Sequence, residues 1–376
     1  MARISESEAQ KEMAKHFGVD SFFMSGDNVI LDKVLHVRTG SPSLDAALGI
    51  GGIPRGRIVQ FAGKESSGKT MLALSCIKSY LDENPANTAM FIDAEFTYDP
   101  EWAEFLGVDT KRVMVIKTNE AKKIFDGLIG IPNPKSKIGK KKMKGILDFV
   151  REGTDPKFAN LGIIVLDSVA TLSTPQEEDS EAGKMNVASL ARFLTTELKK
   201  LTPVLSETNV TFIGINQIRE TIGVMYGPST SSPGGRALKH ACSVMVEMAP
   251  IGGSAIEDDS GTRIGHKVRA SIRKNKVGRP FGKAEYSIEY VKGMVSTESE
   301  LLDLAVKFDI VKRPNNVMYD IMEDSFRGRI KAEERILEIS GTVESAVRDH
   351  YINKVKTGIS EDDEEILEEN SLLGEM

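Results

Sequence analysis

Short apolar runs recur along the middle of the chain, and each is bounded by glycine or by polar, turn-forming residues. The Val, Ile and Phe content of these runs, together with their length, predicts buried β-strands. The runs cover residues 57–63, 88–95, 161–168, 211–217 and 243–250. Two later segments, 267–276 and 284–290, alternate apolar and polar residues, which predicts half-exposed or antiparallel strands.

Segments with helical periodicity lie between these runs. Residues 70–84 and 187–207 place apolar side chains three and four positions apart. Residues 39–49 do the same, and either Ser41 or Ser43 can cap that helix. Strands that alternate with helices are typical of a largely parallel sheet covered on both faces. The pattern therefore predicts the α/β class, with a mostly parallel, twisted sheet flanked by helices.

The chain changes character at both ends. Residues 5–17 predict a short amphipathic helix, and residues 299–311 and 330–357 predict the helices of a small C-terminal domain. We therefore expect four regions: an N-terminal helix with a linker, a large core, a small C-terminal domain and an acidic, disordered tail. Their expected bounds are residues 1–34, 35–292, 293–357 and 358–376.

Charge is unevenly distributed along the chain. The 376 residues carry a formal net charge of −6, but eight carboxylates lie within residues 361–376, which contain no Lys or Arg. Without these eight charges, residues 1–360 carry +2. An acidic block of this kind is typical of a solvated tail. The acidic total therefore does not exclude nucleic acid as a partner of the rest of the chain.

Cysteine content and hydropathy favour a cytoplasmic location. Cys76 and Cys242 are the two cysteines, and such sparse use fits a reducing compartment. The sequence has no apolar run long enough to span a bilayer. Its polar N-terminus, MARISESEAQKEMAKHF, differs from a secretory signal. We expect no membrane association.

A glycine-rich loop follows the first predicted strand. Residues 63–70 read GKESSGKT and match the phosphate-loop pattern G-x-x-x-x-G-K-[ST] in full. The glycines let backbone N–H groups turn toward phosphate oxygens, and the following helix adds its positive N-terminal end. The residues expected to contact ATP are Gly63, Lys64, Glu65, Ser66, Ser67, Gly68, Lys69 and Thr70, with Lys69 on the outer phosphates and Thr70 on Mg²⁺. A chance match is the alternative, and the strand–loop–helix context argues against it.

Three polar residues lie where predicted strands end, which is where open α/β sheets bind ligands. Asp167 suits a Walker B carboxylate that holds Mg²⁺. Glu95 can orient and deprotonate the water that attacks the γ-phosphate. Gln217, a neutral amide, can sense the γ-phosphate and signal to the loop behind it. The alternatives stay open: carboxylates that only cap the next turn, and a solvated strand end for Gln217.

Five segments resemble the RecA family of homologous-recombination proteins and occur in that family's order. They read TGSPSLDAALGIGGIPRGRIVQFAGKESSGKT, MFIDAEFTYDP, IIVLDSVATL, INQIRETIGVMYGPSTSSPGGRALKH and IRKNKVGRPFGKAEY. The resemblance covers roughly residues 35–300, and the run from Asn216 to Lys239 is its most specific part. It implies a P-loop NTPase core of the RecA type in an ATP-dependent, DNA-binding recombinase.

The resemblance implies roles for the nucleotide site. Lys69, Glu95 and Gln217 would be catalytic, with Glu95 as the base and Gln217 as the nucleotide-sensing switch, and Asp167 would join Thr70 at the metal. Asp99 and Trp102 match positions that contact adenine, where the second residue is usually Tyr. Lys274 and Lys276 match a lysine pair that reaches the ATP of the neighbouring subunit. Without the resemblance, these two lysines would be interpreted as a solvated strand edge.

The resemblance also implies two DNA-contacting loops, residues 176–188 and 218–236. The second is rich in Gly, Pro, Ser and Thr, and so long a segment between a strand and a helix is usually functional or disordered. We expect its arginine side chains and backbone N–H groups to contact DNA phosphates, and its apolar side chains to insert between bases. The residues concerned are Arg219, Arg236, Gly234, Gly235 and Ile222, with Val224 and Met225 beside Ile222, and Arg192, on the helix after the first loop, would reach the same DNA path.

The implied partners are single-stranded DNA, a homologous duplex and further copies of the chain. Residues 1–17 would pack on the next subunit, and such a contact, which does not close on itself, yields an open helical filament. Accessory single-strand-binding or loading proteins are compatible with this function. ATP hydrolysis at Glu95 would let subunits leave.

The sequence departs from the family at three places. Thr221 stands where Lys is usual, and His240 stands where an aromatic residue often lies at the subunit interface. Residues 120–160 are longer than usual and include six lysines within 135–144. A lysine run is more often a solvated loop than a DNA contact. These departures indicate a divergent member of the family, and a viral origin is one hypothesis.

Two other functions remain open at this point. The same core occurs in ring helicases and regulatory ATPases, but ring formers usually carry an added partner domain that the sequence does not suggest. A non-catalytic DNA-binding mediator would hold ATP only as structure. The presence of both Glu95 and Asp167 argues against the mediator.

Overall fold

A computed structural model of the chain describes residues 34–132, 142–178, 187–220, 230–231, 236–278, 280–290, 293–294 and 297–357. The chain divides into two compact units, residues 1–35 and residues 36–376, and every element below belongs to the second. None of the helices in the described residues has the length and apolar character that crossing a membrane requires.

One large sheet forms the centre of the second unit. The described strands are β1 (His36–Val37), β2 (Ile53–Pro54), β3 (Ile58–Gly63), β4 (Thr88–Asp93), β5 (Val113–Lys117), β6 (Ile131–Pro132), β7 (Lys142–Met143), β8 (Leu161–Asp167), β9 (Thr211–Gln217), β10 (Arg219–Glu220), β11 (Thr230–Ser231), β12 (Val244–Glu257), β13 (Arg263–Asn275), β14 (Lys283–Glu289), β15 (Gly293–Met294), β16 (Met318–Ile321) and β17 (Asp324–Arg327). The large sheet has the strand order β15-β14-β13-β12-β3-β9-β8-β4-β5. Pairs from β12 to β5 are parallel, and pairs from β12 to β15 are antiparallel. The predicted fold class and the predicted strands are confirmed.

Helices cover both faces of this sheet. The described α-helices are α1 (Pro42–Leu48), α2 (Lys69–Glu83), α3 (Pro100–Phe105), α4 (Ala121–Ile129), α5 (Ile146–Glu152), α6 (Pro175–Glu178), α7 (Val187–Thr208), α8 (Arg236–Ala241), α9 (Thr297–Lys307), α10 (Arg329–Glu338) and α11 (Ser340–Thr357). Successive strand residues point to opposite faces. Val59 and Phe61 of β3 therefore join a core with α2, whereas Ile58 and Ala62 join a core with α4 and α7.

Helix α1 begins at one of the two predicted caps. Ser41 is its N-cap residue, and Ser41 Oγ accepts a hydrogen bond from the Leu44 amide at 3.3 Å. Ser43 lies inside the helix instead. Gly49, with a φ of 77°, ends the helix in the left-handed conformation that glycine adopts readily.

The C-terminal part of the described chain has its own hydrophobic core. Its buried residues are Leu301, Leu302, Ala305, Val311, Tyr319, Ile321, Ala332, Ile336, Val343 and Val347, which come from α9, β16, α10, α11 and the connection after α9. The segment 330–357, predicted as helical, is two helices, α10 and α11. The β16–β17 hairpin was not predicted, because its strands have four residues each and no continuous apolar run. The boundaries of the four predicted regions stay a prediction.

Strand β5 and helix α4 were also not predicted. β5 lies at the edge of the large sheet, where Val115 and Ile116 are exposed. The four apolar residues Val113–Ile116 are nevertheless a strand signal, which the sequence analysis did not use. The predicted N-terminal helix, most of the lysine cluster and the acidic tail lie outside the described residues.

Candidate functional site

The phosphate-loop sequence joins β3 to α2, as its motif requires. Gly63 ends β3, and Gly68 precedes α2 with a φ of 84°. A Cβ atom on Gly63 would lie 2.4 Å from the Met248 carbonyl oxygen and 2.5 Å from Ser67 Oγ. A Cβ atom on Gly68 would lie 2.2 Å from Ile288 Cδ1. Gly63 is therefore required by the nearby backbone of β12, and Gly68 is favoured by its positive φ, since the Ile288 side chain can move.

The Lys69 ammonium group lies within the curve of this loop. Only 8% of the residue is exposed, and Nζ donates to the Lys64 carbonyl oxygen at 2.6 Å. Burial lowers the pKa of Lys69, and nearby carboxylates partly offset that effect. Nζ also donates to Ser67 Oγ at 3.5 Å, so both of its partners in the loop are neutral, and such a buried cation is well placed to accept an anionic phosphate. Of the other loop residues, Lys64, Glu65 and Ser66 are exposed and Ser67 is buried.

Thr70 and Asp167 form a pair of hard oxygen ligands beside Lys69. Thr70 Oγ1 donates to Asp167 Oδ2 at 2.6 Å. Burial raises the pKa of Asp167 to about 6, the Thr70 hydrogen bond opposes that shift, and Glu95 adds to it. Oxygen donors with excess negative charge suit Mg²⁺. Among the described residues no three His, Cys, Asp or Glu side chains cluster as a metal site.

The Glu95 carboxylate lies next to this pair. The Glu95 amide donates to the Asp167 carbonyl oxygen at 3.2 Å, which holds the end of β4 against the end of β8. Glu95 Oε1 accepts from Ser168 Oγ at 2.5 Å and from Gln217 Nε2 at 3.4 Å. The structure therefore brings four strand ends together, and with them the phosphate loop and three of the residues predicted for this site, Asp167, Glu95 and Gln217.

Asp99 and Trp102 lie at the start of α3, after the end of β4. Asp99 is the N-cap residue, and its Oδ1 accepts from the amides of Glu101 and Trp102 at 2.9 Å and 3.2 Å. Trp102 is partly buried against the core that contains α2. A helix N-cap explains Asp99 structurally, and the adenine contact remains a prediction for both residues.

Lys274 and Lys276 lie at the opposite end of the sheet. Asn275, between them, pairs with Val244 at the start of β12, and β12 runs parallel to β3. The phosphate loop follows the other, carboxyl end of β3. The two lysines therefore do not reach the phosphate loop of their own chain.

The two lysines differ in their surroundings. Lys274 Nζ donates to the carbonyl oxygens of Lys239 and His240 at 2.6 Å and 3.1 Å, so it satisfies the C-terminal end of α8. Burial lowers the pKa of Lys274. Lys276 is exposed, which leaves its side chain accessible to another subunit.

The described part of the second predicted DNA loop is its base. Arg219 and Glu220 pair with Ser231 and Thr230 in a two-residue antiparallel ladder. The loop therefore leaves the sheet two residues after Gln217. Arg236 is the first residue of α8, and Arg192 is exposed on α7. The predicted contacts Ile222, Gly234 and Gly235 lie outside the described residues, as do Thr221, Val224, Met225 and residues 179–186 of the first loop.

Sequence reasoning assigned no role to Ser168, which the structure places on Glu95. The hydroxyl directly after the strand-end Asp167 was the available signal. This signal could not be used from the sequence alone, because Ser168 and Glu95 are far apart in the chain and no local pattern shows that they are in contact.

The comparisons with known proteins cover most of the chain. Residues 5–130 and 154–295 match the family model of the RecA N-terminal domain. The unmatched residues 131–153 fall within the stretch 120–160, which we expected to be longer than in the family. The chain is 36% identical to Protein RecA of Salinispora tropica over 345 residues, 90% of each chain. It is 35% identical to Protein RecA of Oceanobacillus iheyensis over 360 residues, 94% of each chain.

A third relative gives the same result at higher identity. Protein RecA of Staphylococcus aureus (strain JH9) is 39% identical over 304 residues, which are 81% of this chain and 78% of the relative. The α/β fold with its mostly parallel sheet agrees with these matches. The chain belongs to the RecA family of homologous-recombination proteins.

Proposed function

We propose that the chain is an ATP-dependent recombinase that forms helical filaments on single-stranded DNA and exchanges strands with a homologous duplex. The observation that carries this proposal is the Gln217 amide on the Glu95 carboxylate, two residues before the base of the second loop. One short segment thus connects the hydrolysis site to the expected DNA contact. A cytoplasmic location follows from the DNA and ATP that such a protein uses.

The residues of the phosphate loop fit ATP with Mg²⁺. Gly63 and Gly68 keep the loop tight, and Lys69 supplies a desolvated positive charge for the outer phosphates. Thr70 and Asp167 would hold Mg²⁺, directly or through water. Mg²⁺ neutralises phosphate charge when it is bound. In this arrangement the positive N-terminal end of α2 also faces the phosphates.

Glu95 is proposed as the general base. Its carboxylate would accept a proton from water as the water oxygen attacks the γ-phosphorus and the bond to ADP breaks. Two donors on Oε1 turn the other oxygen, Oε2, toward the proton. No described residue donates to Oε2, which is the arrangement a base requires.

Nucleotide state would reach the DNA loop through β9. The Ile218 amide donates to the Gly63 carbonyl oxygen at 3.1 Å, so the residue after Gln217 is bonded to the phosphate loop. Arg219 then begins the ladder at the base of the second loop. A change in the hydrogen bond of Gln217 would therefore shift the loop that contacts DNA.

The position of Lys274 and Lys276 supports a site shared between subunits. They lie at the end of the sheet away from their own phosphate loop. In a head-to-tail assembly that end faces the phosphate loop of the next subunit, and repetition of the contact gives an open helix. The lysines would then stabilise transition-state charge on a neighbour's ATP.

Strand exchange and ATP hydrolysis by the full chain test this function. We expect single-stranded DNA to stimulate hydrolysis, and Glu95→Gln to bind a fluorescent ATP analogue and DNA normally while hydrolysis falls at least about 100-fold. Glu207→Gln, an exposed carboxylate near the end of α7, is the matched control and should hydrolyse ATP at the native rate.

Electron microscopy with single-stranded DNA and a slowly hydrolysed ATP analogue distinguishes the alternatives. Open helical filaments support the recombinase. Closed rings would indicate a helicase or regulatory ATPase, and the lack of any assembly would indicate a mediator. If DNA does not change the rate of hydrolysis, the proposed function is wrong.

A further inference from the structure

The Glu95 carboxylate has two anchors of unequal strength. Ser168 Oγ lies 2.5 Å from Oε1, within the range of short, charge-assisted O–H···O⁻ hydrogen bonds. Gln217 Nε2 lies 3.4 Å from the same oxygen, longer than the usual N–H···O distance of about 2.9–3.0 Å. The hydroxyl is therefore the stronger of the two anchors.

The surroundings of Ser168 hold its hydroxyl in place. The residue is fully buried, with 0% exposure. Its carbonyl oxygen accepts from Thr171 Oγ1 at 2.9 Å, which fixes the 3₁₀ turn Val169–Thr171. Val169 in this turn is buried, and its Cγ2 atom lies 3.5 Å from the position that a Cβ atom would take on Gly214 of β9. Ser168 thus belongs to a packed turn, whereas Gln217 is partly exposed and precedes a long loop.

We propose that Ser168 is a positioning residue that keeps Glu95 aligned for hydrolysis when the Gln217 amide moves to the nucleotide. This inference rests on the proposed function. Both donors use Oε1, so the loss of the weaker one leaves the carboxylate oriented by the stronger one. Base alignment and nucleotide sensing are then separate tasks, assigned to Ser168 and Gln217.

The separation predicts different kinetic effects for the two residues. Removal of the Ser168 hydroxyl affects only the orientation of the base, so it lowers kcat and leaves ATP and DNA binding intact. Gln217 leads into the DNA loop, so its removal weakens the stimulation of hydrolysis by DNA. If the hydroxyl only stabilised the fold, its removal would lower the melting temperature without this split between kcat and KM.

The test uses the full chain with single-stranded DNA. We expect Ser168→Ala to lower kcat about tenfold, the effect of one lost hydrogen bond in the transition state. KM for ATP and filament assembly with a slowly hydrolysed analogue should stay within twofold of native. Ser173→Ala is the matched control, because Ser173 Oγ donates to the Asn119 carbonyl oxygen at 3.3 Å and does not contact Glu95.

A double-mutant cycle supplies the decisive measurement. If Ser168 acts through Glu95, Ser168→Ala should cause no further loss of single-turnover hydrolysis in a Glu95→Gln background. A native kcat in Ser168→Ala, or an equal loss in both backgrounds, overturns the inference while the function stands. A native chain that fails to hydrolyse ATP overturns the function instead.

Discussion

Burial of its charge distinguishes Lys69 from Lys78, the other lysine of α2. Its ammonium group is desolvated, and its hydrogen-bond partners within the loop, the Lys64 carbonyl oxygen and Ser67 Oγ, are both neutral. Desolvation of a cation is costly unless an anion compensates it. Burial of the Lys69 charge therefore lowers the stability of the loop, and a bound phosphate would offset that loss.

Lys69→Ala should abolish nucleotide binding and hydrolysis. The fold should keep at least its native stability without nucleotide, because the change removes a desolvated charge. Titration with a fluorescent ATP analogue and thermal unfolding would measure both effects. Lys78→Ala is the control on the same helix, where Lys78 pairs with Asp82 at the exposed surface. Normal turnover by Lys69→Ala would contradict the assignment of the loop.

At the scale of elements, a buried carboxylate joins α9 to α1. Glu300 Oε2 accepts from Ser41 Oγ at 2.6 Å and from the Ser43 amide at 3.2 Å. Burial raises the pKa of Glu300 to about 7, although these hydrogen bonds oppose the shift. Oε1 has no hydrogen-bond partner among the described residues. Burial of this carboxyl group therefore favours its protonated form.

This raised pKa makes the α1–α9 contact sensitive to pH. The folded state holds the proton above the ordinary pKa of 4.5, so stability is lost as pH rises from about 4.5 to about 7 and changes little above that range. Glu300→Gln mimics the protonated form. The gain in melting temperature of Glu300→Gln over the native chain should increase between pH 5 and pH 8. The corresponding gain in free energy of unfolding is on the order of 3 kcal/mol at most.

Glu298→Gln on the same helix is the control for this series. Burial also raises the pKa of Asp45 to about 7, and the charge of Glu300 adds to that shift, so the pH dependence of Glu300→Gln includes a change in the titration of Asp45. A constant difference between Glu300→Gln and the native chain across this pH range would show that Glu300 keeps an ordinary pKa.

At the scale of the whole molecule, the two halves of the proposed ATP site lie at opposite ends of the sheet. A single subunit cannot combine them, so hydrolysis should require assembly. Lys276 is the better probe of the second half. Lys274 also holds the C-terminal end of α8, and its replacement would disturb the fold.

Mixed assemblies test this shared site. Lys276→Ala and Lys69→Ala should each be inactive alone. In an equimolar mixture, about a quarter of random contacts join an intact phosphate loop to an intact Lys276, so DNA-stimulated hydrolysis should return to about that fraction of native. A mixture that stays inactive would contradict a role for Lys276 in the neighbouring subunit.

Much of the fold was predictable because local patterns encode it. The apolar runs predicted the parallel strands. The phosphate loop was predicted from the spacing of its glycines and its lysine. The β16–β17 hairpin was missed because its four-residue strands bury too little to leave a clear pattern, whereas the apolar run of edge strand β5 was available and was overlooked. The roles of Asp99 and Trp102 rest on resemblance, since a helix cap accounts for Asp99 in the structure.

Periodicity and motif spacing are local properties, and they were enough to give the fold class, the phosphate loop and the polar residues at strand ends. Contacts between residues far apart in the chain depend on strand order and register, which no local pattern contains. The convergence of Ser168 and Gln217 on one oxygen of Glu95 is such a contact. The placement of Lys274 and Lys276 away from their own phosphate loop is another, because it follows from the antiparallel pairing of β13 with β12.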